Sequence, residues 1–332
     1  MERDNNEMRR RLTLLVPLVL FASLVGACSK TNTAPVISPT PNLLSHFQII
    51  TSANVPMPKF ESAVVGALAP KRIVSLATGV GETLVALGVG ESVVGRDETS
   101  DIQEISGAMV VTKAHSVSAE KVLSLSPDLV LVDASTSPPE AIDQIRAAGV
   151  PVVEIPEAWS LTDIGPRTSA IAAAVGVDKA TSNKVIAEAT GANLSPATST
   201  PAGTAKARIA FLYLRGTSAI YLIGGLGSGA DSLIDAAGSI DAGAEAGLGA
   251  FTPLTPEAIA QMNPDLILVM TKGLDSVGGI NGLVSLPGIG QSEAGQAKRV
   301  IAVEDTLLLS FGPRTANLID ALREAIAKAM SE

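Results

Sequence analysis

Residues 120–132, EKVLSLSPDLVLV, recur as residues 257–269, EAIAQMNPDLILV, at an offset of 257 − 120 = 137. Each copy runs from a glutamate through an apolar pattern at helical spacing to a Pro-Asp turn. Four apolar residues then read as a buried strand, Leu129–Val132 in one copy and Leu266–Val269 in the other. Upstream, Arg72-Ile73-Val74-Ser75-Leu76 predicts a strand, and Glu82 to Leu87 a short helix stopped by Gly88. A helix over Pro139 to Ala148 and a strand over Pro151 to Ile155 follow. Ala207-Arg208-Ile209 answers Lys71-Arg72-Ile73, and Arg299 to Val303 closes the second half as Pro151 to Ile155 closes the first. Two copies of an α/β unit predict two similar Rossmann-like lobes, residues 71–158 and 206–332, rather than a solenoid.

Residues 159–205 link the halves as bridging helices and a loop. Ser160-Leu161-Thr162-Asp163 fits a capping box, and Ala170 to Val175 continues that helix. Asp178 to about Asn193 predicts a long second helix spanning about 24 Å. A helix packed against both lobes would restrict their relative motion far more than flexible strands.

Composition removes other classes of function. The chain has 332 residues with 24 Lys+Arg, 33 Asp+Glu, two His, two Tyr, one Trp and one Cys, Cys28. A single cysteine excludes an internal disulfide framework and a Cys-rich zinc site, and two histidines exclude a three-His cage. A formal charge of −9 argues against a nucleic-acid surface, which needs clustered Lys and Arg. With no Gly-x-Ser-x-Gly elbow and no His-Glu-x-x-His helix, an enzyme is not expected.

The N-terminus reads as a targeting segment. Arg9, Arg10 and Arg11 precede an apolar run from Leu12 to Val25, too short to span a bilayer. The run ends in Leu24-Val25-Gly26-Ala27-Cys28, which resembles a bacterial lipobox. The expected layout is a lipoprotein signal peptide over 1–27, then lipidated Cys28 and a tether over 28–70 rich in Thr, Ser, Asn and Pro. The mature chain would then sit on the extracellular face of the cell membrane. His46, at the edge of the tether, is expected to be exposed and without function.

Residues 71–332 resemble the helical-backbone (class III) substrate-binding proteins of ABC importers, which handle cobalamin, ferric siderophores and heme. The resemblance rests on Arg72–Leu76, Gly81–Gly88, the SAEKVLSLSPDLVLV segment and Leu233–Gly238. Within that class the chain is most similar to the hemin-binding lipoproteins of Gram-positive actinobacteria, of the HmuT type. This closer likeness rests on Ala114-His115-Ser116, Tyr213-Leu214-Arg215 and Gly312-Pro313-Arg314-Thr315. It implies ferric heme b as the transported ligand, and an ABC permease with its ATPase as partners.

Ferric heme needs one or two axial donors in an apolar slot. With Cys28 assigned to the anchor, the candidates are His115, just ahead of a helix start in lobe one, and Tyr213, at the C-terminal end of a strand in lobe two. Open α/β sheets place their ligands at such strand ends. Arg215, two residues on in an extended segment, projects to the same side as Tyr213 and favours phenolate. The resemblance implies the same pairing of a ligand tyrosine with a helper arginine. Asp97-Glu98-Thr99-Ser100 matches a pattern that many related heme binders follow with a tyrosine, which is missing here.

Tyr221 is a candidate for packing or a pocket wall. Arg96, Lys113 and Arg314 are candidates for neutralising propionates. Glu82, with Asp231 or Asp235 in lobe two, is the candidate for docking the permease. Gly224–Gly229 is either a backbone approach to a flat ligand or a plain turn. Two alternatives to heme stay open: cobalamin or a ferric siderophore in the same scaffold, and a lipid-anchored structural or signalling module with an empty cleft.

Overall fold

The two copies of the repeat fold as equivalent steps, down to their helix caps. In the computed structural model, which describes residues 46–60, 66, 69–113, 116–191 and 206–331, the helix Ala119–Ser124 starts at Ser118, whose Oγ accepts from the Lys121 N–H at 3.3 Å. The helix Pro256–Met262 starts at Thr255, whose Oγ1 accepts from the Ala258 N–H at 3.2 Å. The strands that follow, Leu129–Val132 and Leu266–Met270, are buried along their whole length. A parallel strand covered on both faces reads as an unbroken apolar run, and this is why these segments do not alternate.

Among the described residues the first lobe is a parallel sheet of five strands. Their order is Met109–Val110, Val93–Arg96, Ile73–Ser75, Leu129–Val132 and Val152–Glu154. In the second lobe Phe47–Ile50, Val300–Val303, Leu266–Met270 and Arg208–Arg215 run parallel. Ile220–Gly224 and Phe251–Pro253 add antiparallel strands beyond them. The first helix runs from Val80 to Ala86, two residues earlier than expected, because Gly79 takes the left-handed conformation at its start.

The N-terminal boundary differs from expectation. Phe47–Ile50 lies within the segment assigned to the tether, yet it pairs residue for residue with Val300–Val303 and covers what would be an open sheet edge. His46 is half-buried, with Nδ1 at 3.2 Å from the Ala329 carbonyl of the C-terminal helix, and is not a free tether residue. The signal peptide, Cys28 and the tether up to residue 45 lie outside the described residues. No helix among the described residues is long and apolar enough to cross a membrane.

The bridge is helical but not one long helix. A 3-10 turn, Leu161–Asp163, leads into the helix Ile164–Val175, and a second helix, Lys179–Thr190, packs back along it. Gly176 at φ 73° ends the first helix, and the Asp178 carboxylate caps the second by accepting from the Ala180 and Thr181 N–H groups. The second helix stops at Gly191, short of the expected Asn193. The expected capping box does not form: Ser160 makes no side-chain cap bond, and Asp163 instead accepts from the Trp159 N–H at 3.1 Å and from Ser160 Oγ at 2.7 Å. Ile164 belongs to the core of the second lobe, whereas Ile171, Ala172 and Val175 belong to that of the first. One rigid element is therefore embedded in both lobes, the condition for restricted motion between them.

The lobes also touch directly. A Cβ on Gly79 would meet the Ser310 carbonyl oxygen at 2.6 Å, so glycine is needed for both its φ of 77° and its closeness to the other lobe.

Candidate functional site

The cleft is lined from the C-terminal ends of parallel strands in both lobes. Thr78, Glu98, Thr99, Asp133 and Ser135 follow the first lobe's strands. Tyr213 and Arg215 end one strand of the second lobe, while Met270, Lys272 and Asp305 sit at or just beyond the ends of two others. Ala158, at the end of the first lobe, and Trp159 and Arg167, on the bridge, complete the lining, and the cavity measures about 570 Å³. That volume lies within the range of small-molecule sites, and its position is the one that open α/β sheets give their ligands.

Tyr213 stands on the strand Arg208–Arg215, with its ring half-buried against the second lobe's core. Phe251 meets it edge-on, with centroids 5.7 Å apart at 70°. The Arg215 guanidinium carbon lies 4.5 Å from the ring centroid on its face. This stacking meets the expectation that the two side chains share one side of the strand. The contact is a cation over the π face of the ring. Asp305 is 4.0 Å from Arg215 and is itself held by Thr271 Oγ1 at 3.1 Å and the Lys272 N–H at 2.9 Å. Among the described residues no group hydrogen-bonds the Tyr213 phenol oxygen, which leaves its lone pairs open to a ligand in the cleft.

The first lobe's side is polar. Asp97 is buried beneath the Asp97–Ser100 turn and accepts from the Thr99 N–H at 2.8 Å and from the Thr99 and Ser100 hydroxyls. Burial raises its pKa, with the two hydroxyls pulling it back. The Glu98 N–H donates to Thr112 Oγ1 at 2.9 Å, tying the cavity wall to the strand pair Thr112–Lys113 and Ser116–Val117. Ala114 and His115, between those strands, lie outside the described residues.

The remaining predicted residues are placed elsewhere. Tyr221 pairs opposite Leu214 and packs against a different core cluster from Tyr213, so it does not wall the cleft. Arg96 is buried and donates to Asp101 at 3.0 Å, which removes it as a propionate partner. Arg314 and Glu82 pair with each other across the lobes, 4% and 2% exposed, with Nε 3.1 Å from Oε2 and a second bond from Nη2 to Oε1. Arg314 therefore does not line the pocket, and Glu82 does not offer a carboxylate to a permease. Burial raises the Glu82 pKa, and Arg314 opposes that shift. Asp231 caps the Gly-rich turn by accepting from the Gly227 and Gly229 N–H groups, while Asp235 is exposed nearby. A Cβ on Gly225 would meet the Leu248 carbonyl oxygen at 2.4 Å, so the Gly-rich stretch is a turn against the chain rather than a ligand platform.

Residues that sequence reasoning missed include Asp133, Trp159, Arg167 and Lys272. Asp133 and Lys272 lie one and three residues past the predicted strands, and that position was the available signal. Arg167 carried a weaker one, a lone charge in the small and apolar stretch IGPRTSAIAAAV.

The model of the family described as "Periplasmic binding protein" matches residues 73–307. The periplasmic heme-binding protein RhuT of Roseiflexus sp. RS-1, in its apo form, is 37% identical, with a TM-score of 0.73 over 78% of this chain and 98% of that one. The heme-binding protein HmuT is 32% identical, with a TM-score of 0.72 over 88% of this chain and all of that one. Further HmuT structures carry single alanine replacements of a tyrosine, of an arginine two positions on, and of a histidine. By sequence, the uncharacterized ABC transporter substrate-binding lipoprotein YvrC of Bacillus subtilis is 26% identical over 77% of this chain and 80% of its own. The vitamin B12-binding protein of Vibrio parahaemolyticus is 29% identical over 98 residues, 29% of this chain and 36% of its own.

Proposed function

The chain belongs to the periplasmic binding protein family, and from that premise we propose that it captures ferric heme between its lobes and delivers it to an ABC importer. The family and the structural neighbours are substrate-binding proteins of the two-lobed α/β, helix-bridged class, not enzymes. A permease and an ATPase are the partners that such a protein implies.

The single observation that carries the heme reading is Tyr213. Among the described residues its phenol oxygen has no hydrogen-bond partner, it lines a cavity between lobes, and a guanidinium lies over its ring. Phenolate is a hard donor suited to ferric iron, and Trp159, Ala158, Met270 and Leu309 supply apolar wall for a macrocycle. The tyrosine-x-arginine spacing matches the pair of positions replaced in the HmuT structures. His115 is the proposed donor from the first lobe. Cobalamin is the second reading, favoured by the partial match to a vitamin B12-binding protein.

The two readings separate in one titration. Trp159 is the only tryptophan of the chain and lines the cavity, so its fluorescence reports any chromophore that binds there. Hemin should quench it saturably and cyanocobalamin should not; quenching by cyanocobalamin alone would replace heme with cobalamin.

The anchor and the docking acids complete the proposal. Lipidated Cys28 would hold the protein on the extracellular face of the membrane, and Cys28→Ser should release it from cells. Glu120 and Glu257 are both exposed in the first turn of equivalent helices, one per lobe and 137 residues apart. They are the acids that the duplication pairs, and they take the docking role from Glu82. Charge reversal at both should stop uptake while hemin binding to the isolated protein stays intact.

A further inference from the structure

We infer that Arg167, on the bridge, is the receptor for a carboxylate of the bound ligand, and so sets which end of a heme-like molecule enters the cleft first. The inference rests on the heme reading above and adds to it a recognition element on the bridge.

Arg167 is only 5% exposed, yet its guanidinium is poorly satisfied. Nη2 donates to the Thr78 carbonyl, and Nε and Nη1 have no partner among the described residues. Its nearest carboxylate, Asp133, lies 3.8 Å away, too far for a hydrogen bond. Asp133 is instead occupied locally, where its Oδ1 accepts from the Ser135 N–H at 3.2 Å, Ser135 Oγ at 2.7 Å and Thr136 Oγ1 at 3.0 Å. These nitrogens are not sealed in the core, since Arg167 lines the cavity, and they are therefore placed to meet a group that enters it. Desolvation pushes its pKa down, while Asp133, Glu157 and Asp97 hold it up.

The charges around the cleft leave little choice for an incoming anion. Among the described lining residues, Glu98, Asp133, Glu157 and Asp305 are acidic and Arg167, Arg215 and Lys272 are basic. Arg215 is engaged by the Tyr213 ring and Asp305, and Lys272 is exposed. Arg167 alone combines burial, a planar fork of free donors and a place in the cavity wall, the geometry that binds a carboxylate through two parallel bonds. Heme carries two carboxylates on one edge of its ring. Seating one of them on Arg167 orients that edge toward the bridge.

The test uses the whole protein and three probes: hemin, iron-free protoporphyrin IX and hemin dimethyl ester, whose carboxylates are blocked. With Trp159 quenching as the readout, the wild type should bind the ester about tenfold more weakly than hemin, a change of about 1.4 kcal/mol. Arg167→Gln should lose that factor for hemin and protoporphyrin IX and leave the ester unchanged, with Arg167→Lys recovering part of it. Should Arg167→Gln fail to fold, the wild-type comparison of hemin with its ester still decides. Equal wild-type affinity for hemin and ester, or an equal loss for both in the variant, would overturn the role of Arg167 and leave heme binding standing. Absence of hemin binding by the wild type would overturn both.

Discussion

Arg314 and Arg167 are buried to almost the same extent, 4% and 5% exposed, and both stand where lobes meet, yet their surroundings differ in kind. Arg314 makes two bonds to the Glu82 carboxylate and a third, at 3.4 Å, to the Val55 carbonyl. Arg167 has one bonded nitrogen and a carboxylate beyond bonding distance. A buried charge satisfied by the protein serves architecture, whereas one left short of partners in a cavity wall is prepared for something the protein does not itself contain. The same distinction separates Glu82, expected to dock a partner and found paired, from Tyr213, whose oxygen is left open.

The comparison breaks most visibly through stability. Glu82→Ala or Arg314→Ala strands a buried charge and should cost about 3–5 kcal/mol in urea unfolding. Replacing both by apolar residues of similar volume should restore most of that loss. If either single variant unfolds like the wild type, the pair does not fasten the lobes together.

Asp241 is a buried acid with no ion pair among the described residues. It is 7% exposed, its Oδ2 has no hydrogen-bond partner among the described residues, and burial together with Asp231 raises its pKa to about 6, against the bond from the Ala244 N–H. Between the ordinary carboxylate range and about pH 6 the folded chain therefore holds a proton that the unfolded chain has released. Stability should fall as pH rises through that window, by on the order of 2 kcal/mol from this group. Asp241→Asn, which keeps an acceptor for Ala244, should flatten that part of the pH profile; an unchanged profile would refute the assignment.

Arg167→Gln should behave oppositely to Arg314→Ala. It removes one hydrogen bond and the stranded donors together, so the stability change should stay within about 1.5 kcal/mol while ligand affinity falls. Smallest of all, Ser118→Ala and Thr255→Ala should each cost about 1 kcal/mol in unfolding. A similar loss for both would sharpen the equivalence of the two lobes.

What was legible in the sequence divides along local and distant contacts. The repeat exposed both lobes because helix, Pro-Asp turn and buried strand are local patterns. Tyr213 and Arg215 were legible for the same reason, since spacing two on a strand puts them side by side. Phe47–Ile50 was read as tether because its partner, Val300–Val303, lies about 250 residues away and nothing local announces the pairing. Glu82 looked like an ordinary acid near a helix start, and only the fold brings Arg314 to it from 232 positions on. The bridge was divided differently because Gly176 and Asp178 stop one helix and start the next within three residues.

The central claim is that Tyr213 supplies an oxygen donor to ferric heme in the cleft. The most direct measurement is the visible absorption of the hemin-loaded protein compared with Tyr213→Phe, which keeps the ring, its contact with Phe251 and the Arg215 stacking while deleting only the oxygen. The wild type should show a phenolate-to-iron charge-transfer band, and the phenylalanine variant should lose it together with most of its affinity. Identical spectra and affinities in the two proteins would contradict the account.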